Sequence, residues 1–153
     1  VIEYASELKS TEEQLYRALV LSNLVAIHQK TGIGRLSAYC GAVCAGAAAG
    51  AGIAYLCGGD YEDITHTVVN ALAIVSGIVC DGAKASCAAK IAASVDAGIL
   101  GYNMYKRGQQ FYAGDGIVTE GADATIKNVG RLGKDGMRET NEEIISIMVD
   151  GIC

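Results

Sequence analysis

Apolar residues recur along this chain at helical spacing from near its start to near its end. Ser10-Thr11-Glu12-Glu13 has the form of a capping box, in which a hydroxyl accepts from the amide three residues on and a glutamate reaches back. The pattern that follows predicts a helix to about Lys30, with Leu15, Leu19, Ser22 and Ala26 on one face. Thr31-Gly32-Ile33-Gly34 is expected to end it, glycine supplying the left-handed conformation of a helix C-terminus. Residues 36–59 carry no charge, and 41–54 are almost entirely Gly and Ala. That stretch is long enough to cross a bilayer, but Ala and Gly gain little from lipid. It reads as the buried central helix of a bundle, with no membrane involved. A third helix is predicted over 60–80, with Asp60 as N-cap and Asp63 where negative charge suits the helix dipole. A fourth, over 83–107, opens at the Asp81-Gly82 turn. A glycine-rich loop at 108–116 carries Phe111, Tyr112 and Asp115, and a short helix covers 122–132. Thr140-Asn141-Glu142-Glu143 is a second capping box, starting a last helix that ends near Val149. With no internal repeat or linker, the pattern predicts an all-α fold in one domain over 1–153. Its form is a compact bundle of about five to six helices around the Gly/Ala-rich one.

Composition sharpens this picture. There are 20 Gly, no Pro, no Trp and one Phe, so the core is built of small side chains that let helix backbones approach closely. A β-sandwich would call on more β-branched and aromatic residues, and the lack of proline suits uninterrupted helices. Net charge is −5 and the basic residues are scattered, which leaves no positive stripe for a nucleic acid. The start, Val1-Ile2-Glu3-Tyr4, has no basic segment leading into an apolar one, so no signal peptide is expected. The absence of an initiator Met hints at a fragment or a processed piece. The expected location is the cytoplasm.

Six cysteines in a cytoplasmic chain point more to metal binding or catalysis than to disulfides. The chain has no Gly-x-Ser-x-Gly elbow, P-loop, His-Glu-x-x-His or Cys-x-x-Cys. His28 and His66 stand alone and read as solvated or hydrogen-bonded structural residues. Cys44 and Cys57 fall in and at the end of the small-residue helix, where core packing is the better reading. Cys40, Cys80 and Cys87 instead sit at helix boundaries beside turn residues, where free backbone amides can stabilise an anionic cluster. Buried structural thiols remain the competing reading for all three.

Three segments carry a resemblance. Ile33-Gly34-Arg35-Leu36-Ser37-Ala38-Tyr39-Cys40-Gly41, Cys80-Asp81-Gly82-Ala83-Lys84-Ala85-Ser86-Cys87-Ala88 and Gly108-Gln109-Gln110-Phe111-Tyr112-Ala113-Gly114-Asp115-Gly116 resemble the C-terminal half of the L-cysteine desulfidase family. That family is similar to the α domain of iron–sulfur L-serine dehydratases, and the likeness extends over essentially the whole chain. It implies a [4Fe–4S] cluster held by Cys40, Cys80 and Cys87, with one iron open to substrate. It implies a carbon–sulfur or carbon–oxygen lyase, taking L-cysteine to pyruvate, ammonia and sulfide, or acting on L-serine. The family carries a further N-terminal region that supplies the catalytic base, and nothing here corresponds to it. The implied partners are therefore a small amino-acid substrate and an N-terminal half or companion subunit, without which the chain is expected to turn over little or nothing. Lys84 and Ser86, between two proposed ligands, are the candidates for holding the substrate carboxylate; Asp115 is a weaker one, since Asp-Gly is an ordinary turn pair. Cys153, after Asp150-Gly151, is expected either to fold back onto the open iron or to be an unremarkable thiol on a frayed terminus. The alternative from another class is a cluster-free helical binding or regulatory module.

Overall fold

In the computed structural model, which describes residues 1–151, seven α-helices follow one another: α1 (Ile2–Glu7), α2 (Glu12–Ile33), α3 (Gly41–Leu56), α4 (Tyr61–Val75), α5 (Ser86–Lys106), α6 (Ala122–Arg131) and α7 (Arg138–Asp150). A π-helical turn, Leu132–Gly136, joins the last two. No strand occurs among the described residues; one isolated antiparallel bridge pairs Tyr39 with Val79. The all-α bundle expected from the sequence is what forms.

The helix starts follow their caps. Thr11 rather than Ser10 caps α2: its hydroxyl accepts from the Gln14 amide at 3.2 Å, and the Gln14 side chain accepts from the Thr11 amide at 2.8 Å. The box is shifted by one residue because glutamine at the third helical position fills the reciprocal role as well as glutamate does. Asp60 and Asp63 form the same reciprocal pair at the start of α4. The second predicted box is unused. The chain enters α7 already helical from the π turn, so the Asn141 amide reaches the Met137 carbonyl at 2.9 Å and has no need of Thr140.

Helix ends differ more from expectation. α2 runs through Gly32 to Ile33 and stops at Gly34, whose φ of +90° is glycine's territory. Gly32 serves contact instead of termination: a Cβ there would lie 3.3 Å from the Gly130 Cα of α6. α4 ends at Val75, five residues short of the predicted 80, because the backbone from Ile78 to Cys80 is taken up by pairing with 38–40.

α3 is the axis, with ten of its residues buried, among them Val43, Cys44, Ala47, Ala51 and Ile53. Its glycines set how closely α5 approaches. A Cβ on Gly46 would fall 2.3 Å from the Ser94 carbonyl carbon, and one on Gly50 would fall 2.7 Å from the Gly98 Cα. α4 and α5 meet in the same way, Gly101 against the Thr67 carbonyl. Close approach multiplies small dispersion contacts, which is how a core of small side chains without phenylalanine is held together. The larger side chains Ile33, Tyr39, Leu72 and Val129 fill what remains. No described helix is long and apolar enough to cross a membrane.

Candidate functional site at the amino ends of α3 and α5

α3 begins, α4 finishes and α5 begins at one end of the bundle, and the expected ligand residues lie there. Ser37 prepares the approach: its hydroxyl donates to the Gly133 carbonyl and accepts from the Tyr39 amide at 2.9 Å. The bridge follows. The Cys40 amide donates to the Ile78 carbonyl at 3.2 Å, and the Cys80 amide to the Ala38 carbonyl at 2.6 Å. Cys40 is thus the N-cap residue of α3, in extended conformation and buried, while Cys80 leaves the bridge half-buried. Cys87 is the second residue of α5, also half-buried, and its thiol donates to the Gly82 carbonyl at 3.6 Å. All three are free thiols.

Lys90 ties the segment together. It lies three residues beyond Cys87 on the same side of α5, donates to the Val79 carbonyl at 2.9 Å and pairs with Asp81. Asp81 is the main cause that raises the Lys90 pKa; burial opposes it, and the nearby thiols of Cys40 and Cys87 add to the rise. Asp81 is pushed down to about 2, by Lys90 first and then by Lys84, whose ammonium stands 3.1 Å away. A single ammonium therefore senses two of the three cysteines and holds the backbone of the third's neighbour. Sequence reasoning missed Lys90; its i+3 spacing from Cys87 was the available signal.

The remaining candidates sort clearly. Lys84 is half-exposed and paired with Asp81, and Ser86 is exposed as the first residue of α5. Both face solvent near the cysteines. Asp115 is a turn residue: its carboxylate accepts from the Tyr112 amide at 2.7 Å within the exposed loop. Cys44 is buried, and burial pushes its thiol up to about 11, as suits a core residue. Cys57 departs from expectation. It is the exposed C-cap of α3, because the helix outruns the core by one residue there. His28 pairs with Asp123 at 2.9 Å on the surface, and His66 stacks on Tyr105 with centroids 4.3 Å apart. Cys153 lies outside the described residues. α7 buries none of its own residues, and Met148 lies against Gly82, where a Cβ would be 3.0 Å from the methionine methyl.

Among the described residues no three His, Cys, Asp or Glu side chains converge as ligands of one metal ion. Ligands of a single ion, at about 2.3 Å from it, crowd within roughly 4 Å of each other, whereas thiolates bound to different irons of a cluster stand further apart. The donor set suits a cluster in chemistry: three free thiols, two of them at helix starts and one in the bridged segment, near an ammonium fixed by Val79 and Asp81.

The arrangement is that of an all-helical domain with Cys40 and Cys87 at helix amino ends and Cys80 in the bridged segment that leads towards α5. The family described as "Serine dehydratase alpha chain" matches residues 1–146, and the chain belongs to that family. Among curated relatives, a UPF0597 protein of Desulfitobacterium hafniense is 71% identical over 150 residues, covering 98% of this chain and 35% of its own length. UPF0597 proteins of Lachnoclostridium phytofermentans and Treponema denticola are 56% and 52% identical, covering 98% and 97% of this chain and 36% and 35% of their own lengths. The chain thus spans about a third of the length of these relatives. No solved structure matches it.

Proposed function

We propose that this chain is the cluster-bearing part of an amino-acid lyase, with Cys40, Cys80 and Cys87 as ligands of a [4Fe–4S] cluster. The observation that carries the reading is the Tyr39–Val79 bridge, which brings two thiols forty positions apart to the end of the bundle where Cys87 opens α5. When bound, the cluster supplies Lewis acidity at an iron without a protein ligand. The chain's own residues do the rest of the preparation. The free amides at the start of α5 and the Lys90 ammonium place positive partial and full charge beside the site, as an anionic cluster requires. Lys84 and Ser86, both open to solvent, can hold a substrate carboxylate, Lys84 being held in place by Asp81. The reaction is L-cysteine and water to pyruvate, ammonia and sulfide, or the corresponding loss of water from L-serine.

The base that removes the α-proton comes from a companion segment or subunit, in a reducing, cytoplasmic setting. The apolar rim of this end supports such a partner. Leu36 is 92% exposed four residues before Cys40, Ile91 is half-exposed one turn after Cys87, and Met148 lies uncovered at Gly82. The test is anaerobic reconstitution with iron and sulfide, followed by metal analysis and assay with the N-terminal region of a full-length relative. Four irons per chain and restored lyase activity are expected. A chain that takes up no iron, or takes it up equally after Cys40, Cys80 and Cys87 are all changed to serine, overturns the reading.

A further inference from the structure

At the other end of the bundle lies a cleft of about 610 Å³, independent of the cysteines. It is formed by the first turns of α4 and by two stretches, 110–113 and 119–122, of the connection into α6. Its distance from the first site follows from α5. Tyr105, on which His66 of the cleft stacks, comes eighteen residues after Cys87, about 27 Å along the helix at 1.5 Å per residue.

Two buried polar residues are committed wholly to holding its walls. Asn70, with no exposure, donates to the Gly101 carbonyl at 3.0 Å and accepts from the Phe111 amide at 3.0 Å, pinning the glycine-rich loop to α4 and α5. Thr125, equally buried, donates to the Thr119 carbonyl at 3.0 Å and accepts from the Thr119 amide at 3.2 Å, pinning the opposite wall. Buried side chains spent on loop backbone produce a preformed cavity. Within it, the His66 ring is fixed by its stack on Tyr105, and its buried Nδ1 has no hydrogen-bond partner.

The lining has a definite chemistry. Glu62, whose carboxylate stands 3.6 Å from His66 Nε2, and Glu120 contribute two carboxylates, no lysine or arginine lines the cleft, and Tyr61, Phe111 and Tyr112 contribute aromatic rings. Tyr61 and Tyr112 are largely exposed at the rim, a cost in water that a ligand would remove. Carboxylates with aromatic faces and no lysine or arginine among them select an organic cation, by ion pairing and by attraction to the ring quadrupole. We propose that this cleft binds a small organic ammonium ion.

The chain has only two histidines, which makes a clean test. In protein labelled with ¹⁵N-histidine, butylammonium chloride is titrated in and both ring spectra are followed. The His66 signals shift saturably, while His28, on the surface beside Asp123, stays put and reports that the fold is intact. Sodium butyrate at equal concentration leaves both unmoved. The Glu62→Gln/Glu120→Gln double variant, altered only at exposed side chains, weakens binding by roughly tenfold. An unmoved His66, an equal response to butyrate, or unchanged affinity in the double variant overturns the proposal.

Discussion

The amide of Cys80 donates to the carbonyl of Ala38 at 2.6 Å, and two residues on, the Cys40 amide returns a bond to Ile78. Two chain segments forty positions apart are thereby locked so that each presents a cysteine as it leaves the bridge. This is backbone pairing, indifferent to the cysteine side chains, so exchanging those side chains removes the proposed ligands without dissolving the scaffold.

Serine at Cys40, Cys80 or Cys87 is therefore expected to leave the helical circular dichroism unchanged while lowering iron retained after anaerobic reconstitution, each singly. Cys44→Ala retains iron as the parent does. Equal iron in all four variants would refute the assignment.

Lys90→Met removes the donor to Val79 and a partner of Asp81. Amide exchange is expected to quicken from Ile78 to Cys87 and to stay unchanged in α2, and the cluster should be lost to air faster. Lys90→Arg, which keeps the charge, should recover part of the protection.

The core tolerates no added carbon where α3 meets α5. Gly50→Ala gains about 1 kcal/mol of helix propensity but forces a Cβ against the Gly98 backbone, an overpacking cost of about 1–3 kcal/mol. The melting temperature should fall. Gly41→Ala, with nothing within 4 Å of its Cβ, should hold or slightly raise it. Scanning calorimetry on both variants separates packing from propensity.

Burial raises the Cys44 thiol from 9.0 to about 11, so the folded state holds a proton that the unfolded state releases above pH 9. The stabilisation is complete below pH 9 and is lost as pH rises toward 11, about 2–3 kcal/mol in all. Denaturant titrations at pH 8 and pH 10.5 should show a smaller stability loss in Cys44→Ala than in the parent. An identical loss would place the alkaline sensitivity elsewhere.

Met148 against Gly82 brings the end of α7 to the cysteine site. Cys153→Ser is expected to assemble a cluster of normal iron content that oxygen degrades faster, followed by the decay of visible absorbance in air. Decay at the parent's rate would mean that Cys153 has no part at the metal.

The sequence by itself determined six of the seven described helices and their order, because periodicity and caps are local properties that each segment carries with it. The other, α1, six residues long and without a side-chain cap, was not foreseen. It marked Cys40, Cys80 and Cys87 through their turn neighbours, and the small-residue character of α3 announced close packing. Only the tertiary structure decided which glycines break a helix and which admit a neighbour: Gly34 does the first and Gly32 the second, and both look alike in the chain. It also shortened α4, since the pairing of 78–80 with 38–40 competes with helix and wins through hydrogen bonds that no local pattern encodes. The contact of Lys90 with Val79 and the cleft around His66 belong to the same class. Each depends on side chains meeting across elements whose relative placement is set by packing, and packing is a property of the whole core.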